Sequence, residues 1–193
     1  MTIRTLDKHE IANLYDTELK SHFPPSELKR LARIHRLVDQ GLYRVAALFD
    51  NDRRNAYAFT AGPEKSLQLL DYFAVRRSLR GQGVGSRFLH DLKKHGDATD
   101  YMVEVECADA AADPAEKRTR RRRIDFYLQN GARMTPVRSQ LFGETFRIMV
   151  LPVKAGIQRD ARDVAARYRS LYRRMFPEGL SAEQMTVTIA PDK

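Results

Sequence analysis

Cysteine is almost missing from this sequence: Cys107 stands alone among 193 residues. A single thiol excludes an internal disulfide and any cysteine cage for a metal, and it fits a reducing compartment. Long apolar runs are missing too. No stretch approaches the roughly 18 residues of a membrane span, and the opening Met1-Thr2-Ile3-Arg4-Thr5-Leu6-Asp7 lacks the apolar core of a secretory signal. The expectation is therefore a cytoplasmic chain without a membrane partner. The five histidines are scattered, so no metal site is expected, and neither repeats nor low-complexity linkers break the sequence.

What is present suffices for a real core, with 42% hydrophobic residues. Lys and Arg outnumber Asp and Glu by 34 to 25, a formal charge of +9. An excess of this size attracts nucleic acid, membrane headgroups or an anionic ligand. It is concentrated in Lys117-Arg118-Thr119-Arg120-Arg121-Arg122-Arg123 and in residues 159–174, and each run reads first as a solvated face.

Periodicity orders the chain. Residues 11–40 are helical in pattern, interrupted at Ser21-His22-Phe23-Pro24-Pro25-Ser26, where prolines require a loop or a helix start. Ser26 is the expected N-cap of a helix with Leu28, Leu31, Ile34, Leu37 and Val38 on one stripe, ended by Gly41. Residues 43–49 and 55–60 read as a hairpin with a polar turn. A strand to Val75, a helix from Val84 to about His95 and a strand over 101–106 read as a crossover unit. Residues 108–115 are either a loop or the start of an arginine-rich helix that Gly131 closes. An antiparallel pair, 134–140 with 145–153, ends a domain assigned to residues 1–153. Residues 154–193 are then a C-terminal helical extension, whose Val164, Tyr168, Leu171, Tyr172 and Met175 fall on one face and pack on the core.

The most informative segment is Arg80-Gly81-Gln82-Gly83-Val84-Gly85, between the strand and the next helix. Glycines there let backbone amides approach an anion, and the new helix turns unpaired N–H groups and its positive dipole end to the same point. Two phosphate motifs do not fit. A P-loop ends in Gly-Lys-Ser/Thr, and the dinucleotide fingerprint needs a third glycine where Phe88 stands. The pattern R/Q-x-x-G-x-G/A does fit, and here the segment resembles the acetyl-CoA signature of the GNAT acyltransferase superfamily. Leu70-Asp71-Tyr72-Phe73-Ala74-Val75 resembles that family's central strand, and Ile124-Asp125-Phe126-Tyr127-Leu128-Gln129-Asn130-Gly131 its later helix, with a tyrosine four residues before a glycine. Together with Glu104-Val105-Glu106, these segments are similar to a bacterial group within the superfamily.

The resemblance, which covers residues 1–153, implies an α/β fold with a GNAT-like mixed, splayed central sheet flanked by helices. It also implies an enzyme, an N-acetyltransferase that moves an acetyl group from acetyl-CoA to an amine by direct attack, with no metal. In that reading the backbone of Phe73, Ala74 and Val75 pairs with the pantetheine arm. Arg80, Gly81, Gln82, Gly83, Val84, Gly85 and Ser86 cradle the pyrophosphate, and Tyr127 protonates the departing thiolate. Histone-acetylating members carry a glutamate at the position of Leu69, and leucine cannot take a proton. The base is then sought among Asp71, on the same face of its strand as Leu69, and Glu104 and Glu106, which share a face of the next strand. Cys107 has no evident histidine partner and reads as core. Acetyl-CoA and an amine acceptor are the expected partners, nucleic acid is disfavoured, and a homodimer is an open assembly. The rival reading is a non-catalytic acyl-CoA-binding or nucleic-acid-associated regulatory module.

Overall fold

The computed structural model describes residues 1–154 and 159–191. The chain forms two compact units, residues 1–64 with 70–97 and residues 65–69 with those from 98 onward. Residues 155–158 and 192–193, part of the expected extension, lie outside the described residues.

In the first unit β1 (Thr2–Thr5) leads into α1 (Lys8–Leu14). Asp7 caps that helix: its carboxylate accepts from Glu10 N at 2.8 Å while the Glu10 carboxylate accepts from Asp7 N at 3.1 Å, so two orphan donors are satisfied reciprocally. The helix runs through a π turn, Tyr15–Leu19, into α2 (Lys20–His22), and it buries Ile11, Leu14 and Leu19 completely.

Ser26 is not the N-cap that the pattern predicts. It lies in a 3-10 turn, Pro25–Glu27, and α3 (Leu31–Asp39) begins only after an extended Arg30. The reason is tertiary. The Tyr72 hydroxyl donates to Glu27 O at 2.7 Å and accepts from Lys29 N at 3.0 Å, which pins residues 27–29 off the helix and takes Leu28 out of the stripe. Ile34 and Leu37 keep their buried places, and Gly41 leaves the helix at φ +65°, a conformation that suits glycine.

The hairpin forms as expected from β2 (Tyr43–Asp50) and β3 (Arg53–Ala61), with a turn tighter than the polar stretch suggests because Asp50 already pairs with Arg53. β1 lies antiparallel on β2. β4 (Leu67–Val75) carries Tyr72, which meets Phe59 edge to face at 5.3 Å, and α4 (Val84–His95) lies against β3 and β1 with Phe88 stacked on Phe73 at 5.5 Å.

The second unit contains β5 (Asp100–Glu106), α5 (Pro114–Gln129), β6 (Arg133–Leu141), β7 (Glu144–Pro152), α6 (Ala161–Met175) and β8 (Met185–Ile189). Asp113 settles the ambiguity at 108–115: it accepts from Ala115 N and Glu116 N, and Pro114 takes the first helical position, where no N–H is needed. β7 pairs antiparallel with β5 and with β6. On α6, Val164, Tyr168, Leu171, Tyr172 and Met175 are all buried, and the helix lies on β6 and β8. The extension is not wholly helical, since β8 adds a strand to β6; Thr186, Val187, Thr188 and Ile189 are β-branched and suit a pleated edge. Among the described residues the strand order is β1-β2-β3-β4 in the first unit and β5-β7-β6-β8 in the second, with β4 divided between the units at Leu69 and Leu70.

A buried acid anchors the start of α6 to this second unit. Asp100 is fully buried, accepts from Val153 N at 3.1 Å and pairs with Arg159 at 2.6 Å. Arg159→Ala leaves that carboxylate without its cation and should cost about 3–5 kcal/mol. Asp100→Asn should cost less, because Arg159 is a quarter exposed and can turn to water. Urea denaturation of the two variants checks the order.

Candidate functional site

The turn between β4 and α4 is built to leave main-chain donors facing outward. Arg76 N pairs with Asn55 O, a 3-10 turn covers Arg77–Leu79, Arg80 Nε donates to Val75 O at 3.1 Å, and Gln82 Nε2 donates to Ser78 O at 2.8 Å. The side chains of Arg80 and Gln82 thus close the turn from within. Gly81 and Gly83 take φ +74° and +77°, and a Cβ placed on either meets nothing within 4 Å. The first amide of α4 to pair within the helix is that of Arg87, on Gly83 O. The preceding amides are the orphan donors of a helix start, the arrangement that receives an anion. Gly81, Gln82, Gly83 and Ser86 are exposed, and Gly85 is half-buried. Phe73 and Val75 are half-buried on β4, while Ala74 and Val84 are buried.

In the same unit Asp71 is enclosed. Its side chain is 4% exposed, both oxygens accept from Lys29 Nζ at 2.9 Å, and Oδ2 also accepts from the Tyr43 hydroxyl. Lys29 lies over the Tyr72 ring, 5.1 Å from its centroid. Leu69, two residues before Asp71, is fully buried.

The second unit holds Glu104, Glu106 and Tyr127. Glu104 Oε1 accepts from the hydroxyls of Tyr168 and Tyr172, the latter at 2.6 Å. Glu106 pairs with Arg123, one turn before Tyr127 on α5. Tyr127 is buried, and burial pushes its phenol well above its ordinary range, helped by Glu106 and opposed by Arg123. It keeps its proton at neutral pH. The basic run around it is not a uniform solvated face: Arg120 is buried, donating to Cys107 O at 2.9 Å and pairing with Glu116 at 2.8 Å, whereas Arg118, Arg121 and Arg122 are exposed.

Three pairings escape sequence reasoning. Lys29 with Asp71, and the two tyrosines with Glu104, join residues distant in sequence; the only signal was tyrosine at both ends of an i,i+4 step on the α6 stripe. The third is His22, whose Nδ1 lies 2.8 Å from the Tyr57 hydroxyl. An open cleft of about 800 Å³ in the first unit, lined by Thr17, Glu18, Arg54 and Arg76 among others, includes none of the expected site residues. Among the described residues no helix is long and apolar enough to cross a membrane, and no group of three or more His, Cys, Asp or Glu is gathered to hold a metal.

No family model and no curated protein matches the sequence. Solved structures do match. A protein from Bacteroides thetaiotaomicron assigned as an acetyltransferase of the GNAT family aligns with a TM-score of 0.65 at 19% identity, over 94% of this chain and 100% of that one. This is the GNAT fold. A GNAT-like decarboxylase in complex with isobutyryl-CoA aligns at 0.59 and 12% identity, over 80% of this chain and all of that one. A protein from Salmonella typhimurium assigned as an acetyltransferase, with its cofactor acetyl-CoA, aligns at 0.56 and 18% identity, over 83% and 98%. These proteins are named both as acetyltransferases and as a decarboxylase, so the fold alone does not fix the reaction.

His22, in the first unit of this GNAT fold, provides a pH test. Burial lowers its basicity, Arg80 and Arg77 lower it further, and Glu18 opposes them. A histidine whose folded pKa lies below its ordinary 6.5 binds more protons unfolded, so its contribution is present above about 6.5 and is lost as pH falls from there through the lower folded value. The difference in Tm between wild type and His22→Gln should shrink from pH 8 to pH 5. A constant difference across that range would show that His22 does not titrate in this way.

Proposed function

We propose that the protein is a GNAT-type N-acetyltransferase that binds acetyl-CoA at the β4–α4 turn and passes its acetyl group directly to an amine. The observation that carries the reading is the pair of left-handed glycines, Gly81 and Gly83, feeding the start of α4 on a fold whose solved relatives include an acetyl-CoA complex. Backbone amides of Gly81 to Ser86 hold the pyrophosphate, the Arg80 amide being taken by Arg77 O. The main chain of Phe73, Ala74 and Val75 pairs with the pantetheine arm, and an amide there faces the thioester oxygen as charge develops on it.

Tyr127 is the general acid, a role its retained proton supports. Among the three carboxylates Glu104 is the first choice as base. Asp71 is enclosed by Lys29 and Tyr43 at 4% exposure and Glu106 is engaged by Arg123, whereas Glu104, which accepts from two tyrosine hydroxyls, stays half-buried on the strand that follows the β4–α4 unit.

Two measurements test the reading. Coenzyme A should raise the Tm of the wild type by mass action. Gly83→Val should destabilise the free protein by the roughly 1–2 kcal/mol of a left-handed non-glycine residue, with a modest fall in Tm, and should abolish the coenzyme A shift. An undiminished shift in the folded variant removes the turn as the binding site.

Thiol release from acetyl-CoA with a panel of amines tests transfer itself. Tyr127→Phe should slow it by about 10²–10⁴-fold with little change in coenzyme A affinity. A coenzyme A shift without turnover on any amine would favour the non-catalytic module.

A further inference from the structure

Glu104 is held from the far end of the chain. Its Oε1 accepts from Tyr168 and Tyr172, which stand four residues apart on α6 and so share one stripe. Both rings are buried and lie 4.8 Å apart, tilted by 49°, so each restricts the rotamer of the other. A phenol has a single O–H. Two of them directed at one carboxylate oxygen fix that oxygen as an acceptor and fix the plane of the group. Burial and the charge of Glu104 push the Tyr168 phenol well above its ordinary 10, so its donor persists across the working pH range. Glu106 pairs with Arg123 of α5, Ile148 of β7 stands opposite Glu104, and Ser139 of β6 is buried at the Tyr168 hydroxyl.

We infer that α6 is part of the acyl-transfer machinery: Tyr168 and Tyr172 are positioning residues that hold the Glu104 carboxylate on β5 in the orientation that receives the proton of the incoming amine. The inference rests on the reading of Glu104 as the base. In the step it serves, the amine nitrogen bonds to the acetyl carbon as the carbon–sulfur bond breaks. The amine proton passes to Glu104, and the Tyr127 hydroxyl protonates the departing sulfur. Solvent then returns the proton from Glu104 to Tyr127, which leaves an amide and free coenzyme A. A helix that merely packed on β6 and β8 would fill the same space with phenylalanine.

That difference defines the experiment. Tyr168→Phe, Tyr172→Phe and the double variant keep the rings and remove only the hydroxyls. The probe is acetyl-CoA with the fastest amine of the panel, or with water where no amine reacts, followed as thiol release from pH 5 to pH 9. Loss of two donors to the charged form makes the carboxylate easier to protonate. In the double variant the acidic limb should move up by about one pH unit or more, each single variant lying between, while KM for acetyl-CoA and the coenzyme A-induced Tm shift are kept. In a Glu104→Gln background the same replacements should change nothing further. An acidic limb that stays in place in a folded double variant overturns the inference and leaves Glu104 as base.

A wild-type limb that survives Glu104→Gln overturns the reading of Glu104 instead. In that case, or where acetyl-CoA is not turned over at all, the carboxyl ¹³C titration of Glu104, assigned through Glu104→Gln, decides. A midpoint shared by wild type and double variant rejects the hold of α6 on Glu104, and an upward shift in the double variant sustains it.

Discussion

Between Val75 and Val84 the chain must stop being a strand, reverse and begin a helix, and it must do so without covering the amides at that helix start. Most turns satisfy their donors by folding onto themselves, which would close the proposed anion seat. Here the closing bonds come from side chains, Arg80 on Val75 O and Gln82 on Ser78 O, while Gly81 and Gly83 absorb the left-handed backbone. The main chain from Gly81 to the first turn of α4 is left facing outward, beside a strand whose Phe73 is locked onto Phe88 of the same helix. Donors already formed in the turn would lose little entropy on meeting the phosphate of the proposed ligand.

The three carboxylates considered as bases differ in what surrounds them rather than in their chemistry. Asp71 belongs to a buried ion pair that also orders the segment before α3, because Lys29 offers its ammonium to Asp71 and its amide to Tyr72. Removing Asp71 would take this carboxylate from a lysine that is 10% exposed. Its replacement is therefore a poor probe of catalysis. Glu106 anchors α5 to β5 through Arg123. Glu104 accepts from two tyrosine hydroxyls, which can be removed without a change of net charge.

Local signals made much of this legible. Gly41, Gly83 and Gly131 marked helix boundaries because positive φ is a local demand, and the α6 stripe followed from a 3.6-residue period. Ser26 misled for the opposite reason: a serine after two prolines has the local chemistry of a cap, but Tyr72, far along the chain, holds the following residues extended. The hydroxyl ends of Tyr168 and Tyr172 were illegible in the same sense. Their burial followed from spacing, whereas their acceptor lies 64 and 68 residues away on β5 and no pattern in α6 points to it. Apolar faces are written locally; the partners of buried polar groups are written in the tertiary structure.

The outer edge of β8 shows the same division of labour between α6 and the sheet. Phe142 N bonds to Gln184 O and Ala190 N to Pro136 O, so the even-numbered residues of β8 turn their main-chain groups toward β6. Alternation then turns those of Val187 away, toward the edge, where an unpaired carbonyl invites another strand. Arg169 of α6 reaches that carbonyl at 2.6 Å. A guanidinium from the chain's own helix thus occupies the middle of the edge and places a charge where a second copy would have to pair. Any dimer built by extending the sheet past β8 must first displace it, so the helix that orients Glu104 from one face also guards the edge of the strand beside it.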